Sequence, residues 1–173
     1  MAVTGVSKKV ILRKEPVVKD IKLTINDEEY RVSVAPYETL VDVLRDKLGM
    51  LEVKKGCGHG ECGACTVLID GKPVTSCLML AMQAEGKDIT TIRGLSKYGE
   101  ELHPLQKKFI ELGAVQCGYC TPGFILEAKA LLDRNPHPSE EEVRMAISGH
   151  LCRCTGYQQI VEAIMAVAAE SKK

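Results

Sequence analysis

Lys55-Gly56-Cys57-Gly58-His59-Gly60-Glu61-Cys62-Gly63-Ala64-Cys65-Thr66 places three cysteines in a run where glycine recurs at nearly every second position. Neither helix nor strand is expected there, because glycine weakens both. Such a run curls tightly and can turn its backbone N–H groups inward. Metal-bound thiolates carry negative charge, and buried charge left unpaired is costly. A coil of glycines lets N–H groups approach that charge and offset it. A fourth cysteine, Cys77, follows downstream.

The spacing Cys57-x4-Cys62-x2-Cys65, with Cys77 beyond, is that of plant-type [2Fe–2S] centres. Structural zinc usually takes its cysteines as two C-x2–4-C knuckles about a tetrahedral ion, which needs no glycine coil. Iron–sulfur is therefore the reading, with Cys57, Cys62, Cys65 and Cys77 as ligands. Cys57-Gly58-His59 resembles half of a Rieske site, where histidines replace two cysteines. The sequence has no second Cys-x-x-His and four cysteines suffice, so His59 is read as a surface loop residue.

Four more cysteines, Cys117, Cys120, Cys152 and Cys154, form a second group. Cys117-x2-Cys120 alone could be a thioredoxin-type redox pair, but no βαβ pattern surrounds it and Cys152-Arg153-Cys154 would be left without a role. A shared metal site is the better reading. Thr121 and Thr155-Gly156 each precede a helical pattern, so two helix N-termini are expected to face the site with free N–H groups. Spacing alone leaves the metal open between iron–sulfur and zinc.

Outward from these groups, periodicity divides the chain in two. Ile21, Leu23 and Ile25 alternate with polar residues, as do Tyr30, Val32 and Val34, with Asn26-Asp27 between them. A hairpin is predicted. Thr39 caps a short helix on Leu40, Val43 and Leu44, closed by Gly49. Residues 66–69 and 72–75 flank Asp70-Gly71 as a second hairpin, and 89–92 reads as a last strand. Beyond it the period becomes helical. Pro104 opens a segment with Leu105, Phe109 and Leu112 on one face. Thr121 is read as an N-cap with Pro122 first in its helix, which stops at Asn135-Pro136. Ser139 and Glu142 form a capping box. Tyr157, Ile160, Val161, Ile164, Met165 and Ala168 trace the stripe of a final helix.

Lys plus Arg equals Asp plus Glu, at 23 each, which gives no pull toward nucleic acid or an anionic membrane. Apolar runs are too short for a bilayer span. Met1 to Pro16 has no apolar core, so no export is expected and the location is read as cytoplasmic. Thiols stay reduced there, which sets aside a disulfide framework. Residues 1–18 are read as an N-terminal arm.

Three segments resemble the small iron–sulfur subunit of the xanthine oxidase family of molybdenum hydroxylases, which includes carbon monoxide dehydrogenase, aldehyde oxidoreductases and 4-hydroxybenzoyl-CoA reductase. They are residues 55–67, residues 116–123 (Gln116-Cys117-Gly118-Tyr119-Cys120-Thr121-Pro122-Gly123) and residues 151–157 (Leu151-Cys152-Arg153-Cys154-Thr155-Gly156-Tyr157). The resemblance covers about residues 19–168. It implies an α+β fold: a plant-ferredoxin-like (β-grasp) domain over 19–94, then a four-helix bundle over 95–173 with its own [2Fe–2S] cluster on Cys117, Cys120, Cys152 and Cys154.

The resemblance also implies a large partner subunit holding molybdopterin, of the cytosine dinucleotide type, and a medium subunit holding FAD. Gln116 and Cys154 match positions that contact the pterin, although Gln116 could simply order its loop and Cys154 simply bind iron. His150 stands where many relatives carry asparagine, a neutral exchange or one that tunes the cluster. No residue constellation for substrate chemistry is present. The expected role is electron transfer inside an oxidoreductase complex. A stand-alone ferredoxin-like carrier and a zinc-stapled interaction module are the alternatives.

Overall fold

A computed structural model describes residues 17–96 and 101–170. The arm expected over 1–18 falls almost wholly outside them. β1 (Lys19–Ile25) and β2 (Glu28–Val34) pair antiparallel about Asn26-Asp27. Both turn residues have positive φ, 50° and 67°, as a two-residue type I′ turn requires and as Asn and Asp tolerate. β3 (Thr66–Ile69) and β4 (Lys72–Thr75) repeat the device about Asp70-Gly71. β5 (Asp88–Thr90) lies between the two hairpins, parallel to β1 and antiparallel to β3. The sheet is mixed, in the order β2-β1-β5-β3-β4.

The last strand is shorter than the predicted 89–92. Thr91 N–H donates to Asn26 Oδ1 at 2.8 Å rather than to the ladder, and Ile92–Leu95 winds into a 3-10 turn. Thr39 caps α1 (Leu40–Asp42) as expected, its hydroxyl accepting from the Asp42 N–H at 3.4 Å. The chain then widens into a π-helical turn over Val43–Lys47. That widening leaves Leu40, Val41, Val43 and Leu44 all buried among Leu23, Ile25, Val67 and Ile89.

The second half holds α2 (Pro104–Glu111), α3 (Thr121–Arg134), α4 (Glu140–Ala146) and α5 (Gln158–Glu170). Their apolar faces meet around Phe109, Phe124, Ile125, Val143, Ile160 and Ile164. Ser139 and Glu142 form the expected capping box. Three details differ from expectation. Leu112 follows the end of α2 and is exposed. Thr121 is the first helical residue of α3 rather than its cap, and Cys120, already in the αR region, takes the cap position without a side-chain bond. Tyr157 lies outside α5, with φ at 70°.

β3 joins the halves. Val67 and Ile69 enter the sheet core, while Leu68 meets Leu126 and Ala130 of α3 on the opposite face. Coverage on both faces explains why Thr66, Val67, Leu68 and Ile69 read as a continuous run without alternation. Burying Leu126 there is worth about 1.5–3 kcal/mol. Among the described residues no helix is long and apolar enough to cross a membrane.

Candidate metal centre

The eight cysteines gather into two groups, each drawn from two segments of the chain, and all eight are free thiols. In the first group the Cys57 and Cys62 thiols share a hydrogen bond, as do those of Cys77 and Cys65. Four thiols per group is the number of protein ligands a [2Fe–2S] centre takes.

Backbone donors surround these sulfurs. His59 N–H and Glu61 N–H reach Cys57 Sγ at 3.5 and 3.3 Å, and Cys57 N–H reaches Cys62 Sγ at 3.3 Å. The His59 N–H does most to stabilise the Cys57 thiolate, with the Cys62 and Glu61 bonds adding to it against the effect of burial. The Cys57 thiol is drawn down to about 6. Cys77 behaves oppositely: burial, then its contact with Cys65, pushes it up to about 11, although Gly60 N–H donates to it.

Two glycines make this coil possible. Gly60 has φ 87°, a conformation side chains rarely adopt. A Cβ on Gly56 would lie 2.8 Å from Cys62 Sγ, well inside contact distance. His59 is exposed and pairs with Glu61 at 3.1 Å, so it is the surface loop residue expected.

In the second group, Cys117 Sγ and Cys154 Sγ lie 3.7 Å apart, and the Cys120 and Cys152 thiols share a hydrogen bond. Cys120 is pushed up to about 12, chiefly by burial and then by Cys152. Burial also acts to raise Cys152, but the Thr155 hydroxyl and N–H, at 3.2 and 3.5 Å, outweigh it and the thiol is lowered. These donors belong to the loop before α5, not to its first turn, whereas α3 begins directly after Cys120 as expected.

Tyr157 explains the geometry. Its hydroxyl accepts from Cys152 N–H at 3.0 Å, its own N–H donates to Thr155 Oγ1 at 3.2 Å, and its ring meets Phe124 edge-on. Holding a tyrosine at positive φ costs of order 1–3 kcal/mol, which these contacts offset. Nothing in a helical stripe distinguishes such a residue, so sequence periodicity misassigned it.

The two loops touch. Leu151 N–H donates to Cys62 C=O at 3.1 Å, joining the residue before Cys152 to a cysteine of the first loop. Tyr119, between Cys117 and Cys120, donates its hydroxyl to Lys55 C=O at 2.7 Å. His150 Nε2 lies 3.1 Å from Thr66 Oγ1. His150 is 6% exposed, and burial draws its imidazole down to about 4. A residue expected to be a neutral exchange therefore lies in the seam. Cys117, Cys154, Gln116 and Leu151 are exposed, whereas Cys65 and Cys77 are buried.

Comparison with known proteins follows the same division. Residues 23–91 match the 2Fe-2S iron-sulfur cluster binding domain family and residues 91–165 the [2Fe-2S] binding domain family. The nicotinate dehydrogenase small FeS subunit of Eubacterium barkeri is 53% identical over 144 residues, spanning 83% of this chain and 91% of that protein. A chain of quinoline 2-oxidoreductase from Pseudomonas putida 86 superposes with a TM-score of 0.85 at 48% identity, over 90% of this chain and 96% of the other.

Aldehyde oxidoreductase from Desulfovibrio desulfuricans ATCC 27774 superposes with a TM-score of 0.84 at 48% identity. The match covers 89% of this chain but 17% of that one, so there the same fold is one part of a longer polypeptide. With two domains of the [2Fe–2S]-binding kind in this order, the chain belongs to the small iron–sulfur subunits of the xanthine oxidase family of molybdenum hydroxylases, which serve electron transfer.

Proposed function

We propose that this chain holds two [2Fe–2S] clusters and relays electrons between a molybdopterin site in a large partner subunit and FAD in a medium one. Cys57, Cys62, Cys65 and Cys77 would hold the first cluster. Cys117, Cys120, Cys152 and Cys154 would hold the second. Each cluster supplies one-electron redox chemistry when bound. The protein's own residues do the rest: thiolates ligate, N–H groups and the Thr155 hydroxyl temper the charge, and the loops fix the spacing.

The observation that carries the reading is the Leu151 N–H to Cys62 C=O bond, which sets the two cysteine loops back to back. Loops that merely stapled separate modules would not need to meet. The domain organisation proposed is a ferredoxin-type unit over 19–94 and a helical unit over 95–173, the latter a four-helix bundle. The exposure of Gln116 and Cys154 supports their assignment as pterin contacts, on the side of the large subunit.

Anaerobic co-purification on a tag carried by this chain tests the complex. Molybdenum and FAD are expected to accompany it in stoichiometric amounts. A monomer that carries clusters and reduces unrelated acceptors as fast as any complex would make it a free-standing carrier instead.

A further inference from the structure

One imidazole lies between the first cysteine loop and the first turn of α3. His150 precedes Leu151-Cys152, and its ring lies against Gly63, which separates Cys62 from Cys65. A Cβ on Gly63 would sit 2.6 Å from His150 Cγ. On its other side the ring faces Gly123 in the first turn of α3, shortly after Cys120, where a Cβ would lie 3.3 Å from His150 Cδ2. The Phe124 ring centroid is 5.2 Å away.

The hydrogen bonds fix the tautomer. Thr66 has one hydroxyl proton, and its oxygen donates to Gly63 C=O at 2.8 Å. The contact with His150 Nε2 at 3.1 Å must then be an N–H donated by the histidine. Nδ1 is buried, with no partner among the described residues.

We propose that His150 is a positioning residue for the first cysteine loop: its Nε2–H holds Thr66, Thr66 holds the Gly63 carbonyl, and Gly63 is thereby seated against α3. The backbone conformation of the first loop at Gly63, between Cys62 and Cys65, then depends on that chain of bonds. The proposal rests on the two-cluster reading above.

The test is low-temperature EPR of the reduced, cluster-loaded complex, with iron content measured on the same samples. His150→Ala and Thr66→Val are expected to shift the g values of the first centre. His150→Gln, whose amide reaches the Nε2 position, is expected to retain the wild-type values.

If His150→Ala loses iron, retention in His150→Gln supports the proposal and loss in both overturns it. Wild-type spectra in fully loaded His150→Ala or Thr66→Val also overturn it. Wild-type protein without two signals sinks the two-cluster reading itself, a separate failure.

Discussion

Gly123→Ala reverses a rule of thumb. In an exposed helix this exchange stabilises by about 0.8–1.0 kcal/mol through propensity. Gly123 lies in the first turn of α3, packed on Gly63 of the first cysteine loop. The new Cβ would lie 3.2 Å from the Gly63 carbonyl carbon and 3.3 Å from His150 Cδ2. It would come closer still to Gly63 O, about 1 Å short of the ~3.3 Å contact between carbon and oxygen.

The obstacle is backbone, so no rotamer relieves it. Either α3 or the loop must move, and overpacking of this kind costs about 1–3 kcal/mol. At ~2–4 °C per kcal/mol for a chain of this size, Tm should fall by several degrees. Gly149→Ala is the control, since nothing lies within 4 Å of its Cβ and its φ is not positive. Thermal unfolding of both loaded variants under anaerobic conditions decides the matter. A Tm for Gly123→Ala equal to or above wild type would refute the reasoning, because the two halves would then not be in contact there.

Two further outcomes can be checked independently. Thr155→Val removes a hydroxyl donor to Cys152 Sγ, so the second centre should become harder to reduce, since donors to sulfur favour the more negative state. A differential of about 1 kcal/mol corresponds to roughly 40 mV for one electron, readable by EPR-monitored redox titration, and a potential unmoved or raised would count against the assignment.

Glu38 is held below the usual carboxylate range by Lys47, 2.7 Å away, and by the Ala35 N–H. A lowered folded pKa gives stability that is complete above the unfolded value, near 4.5, and lost as pH falls through the folded one. Glu38→Gln should therefore cost about 0.2–1 kcal/mol at pH 7, with the gap in urea midpoint closing toward pH 3. A gap that widens in acid would contradict the sign.

Local chemistry was legible in the sequence, and distant partners were not. Asn26-Asp27 and Asp70-Gly71 announce their turns because positive φ selects those residue types. Ser139 with Glu142 announces a helix start because both partners lie within one turn. Cysteine spacing announces the first centre for the same reason.

The seam could not be read this way. His150 meets Thr66, Tyr119 meets Lys55, and Asn26 meets Thr91, each pair separated by 64 to 84 residues. No period of 2 or 3.6 encodes such distances. The π-helical turn at Val43–Lys47 and the left-handed Tyr157 escaped for a related reason. Both are local departures from regular geometry, imposed by what packs against them.

Metal and sulfide analysis of anaerobically purified protein tests the central claim most directly. Two centres of two irons each require about four irons and four acid-labile sulfides per chain, with visible charge-transfer absorption and two distinct EPR signals on reduction. Zinc in place of iron, or about two irons with matching sulfide, would contradict it.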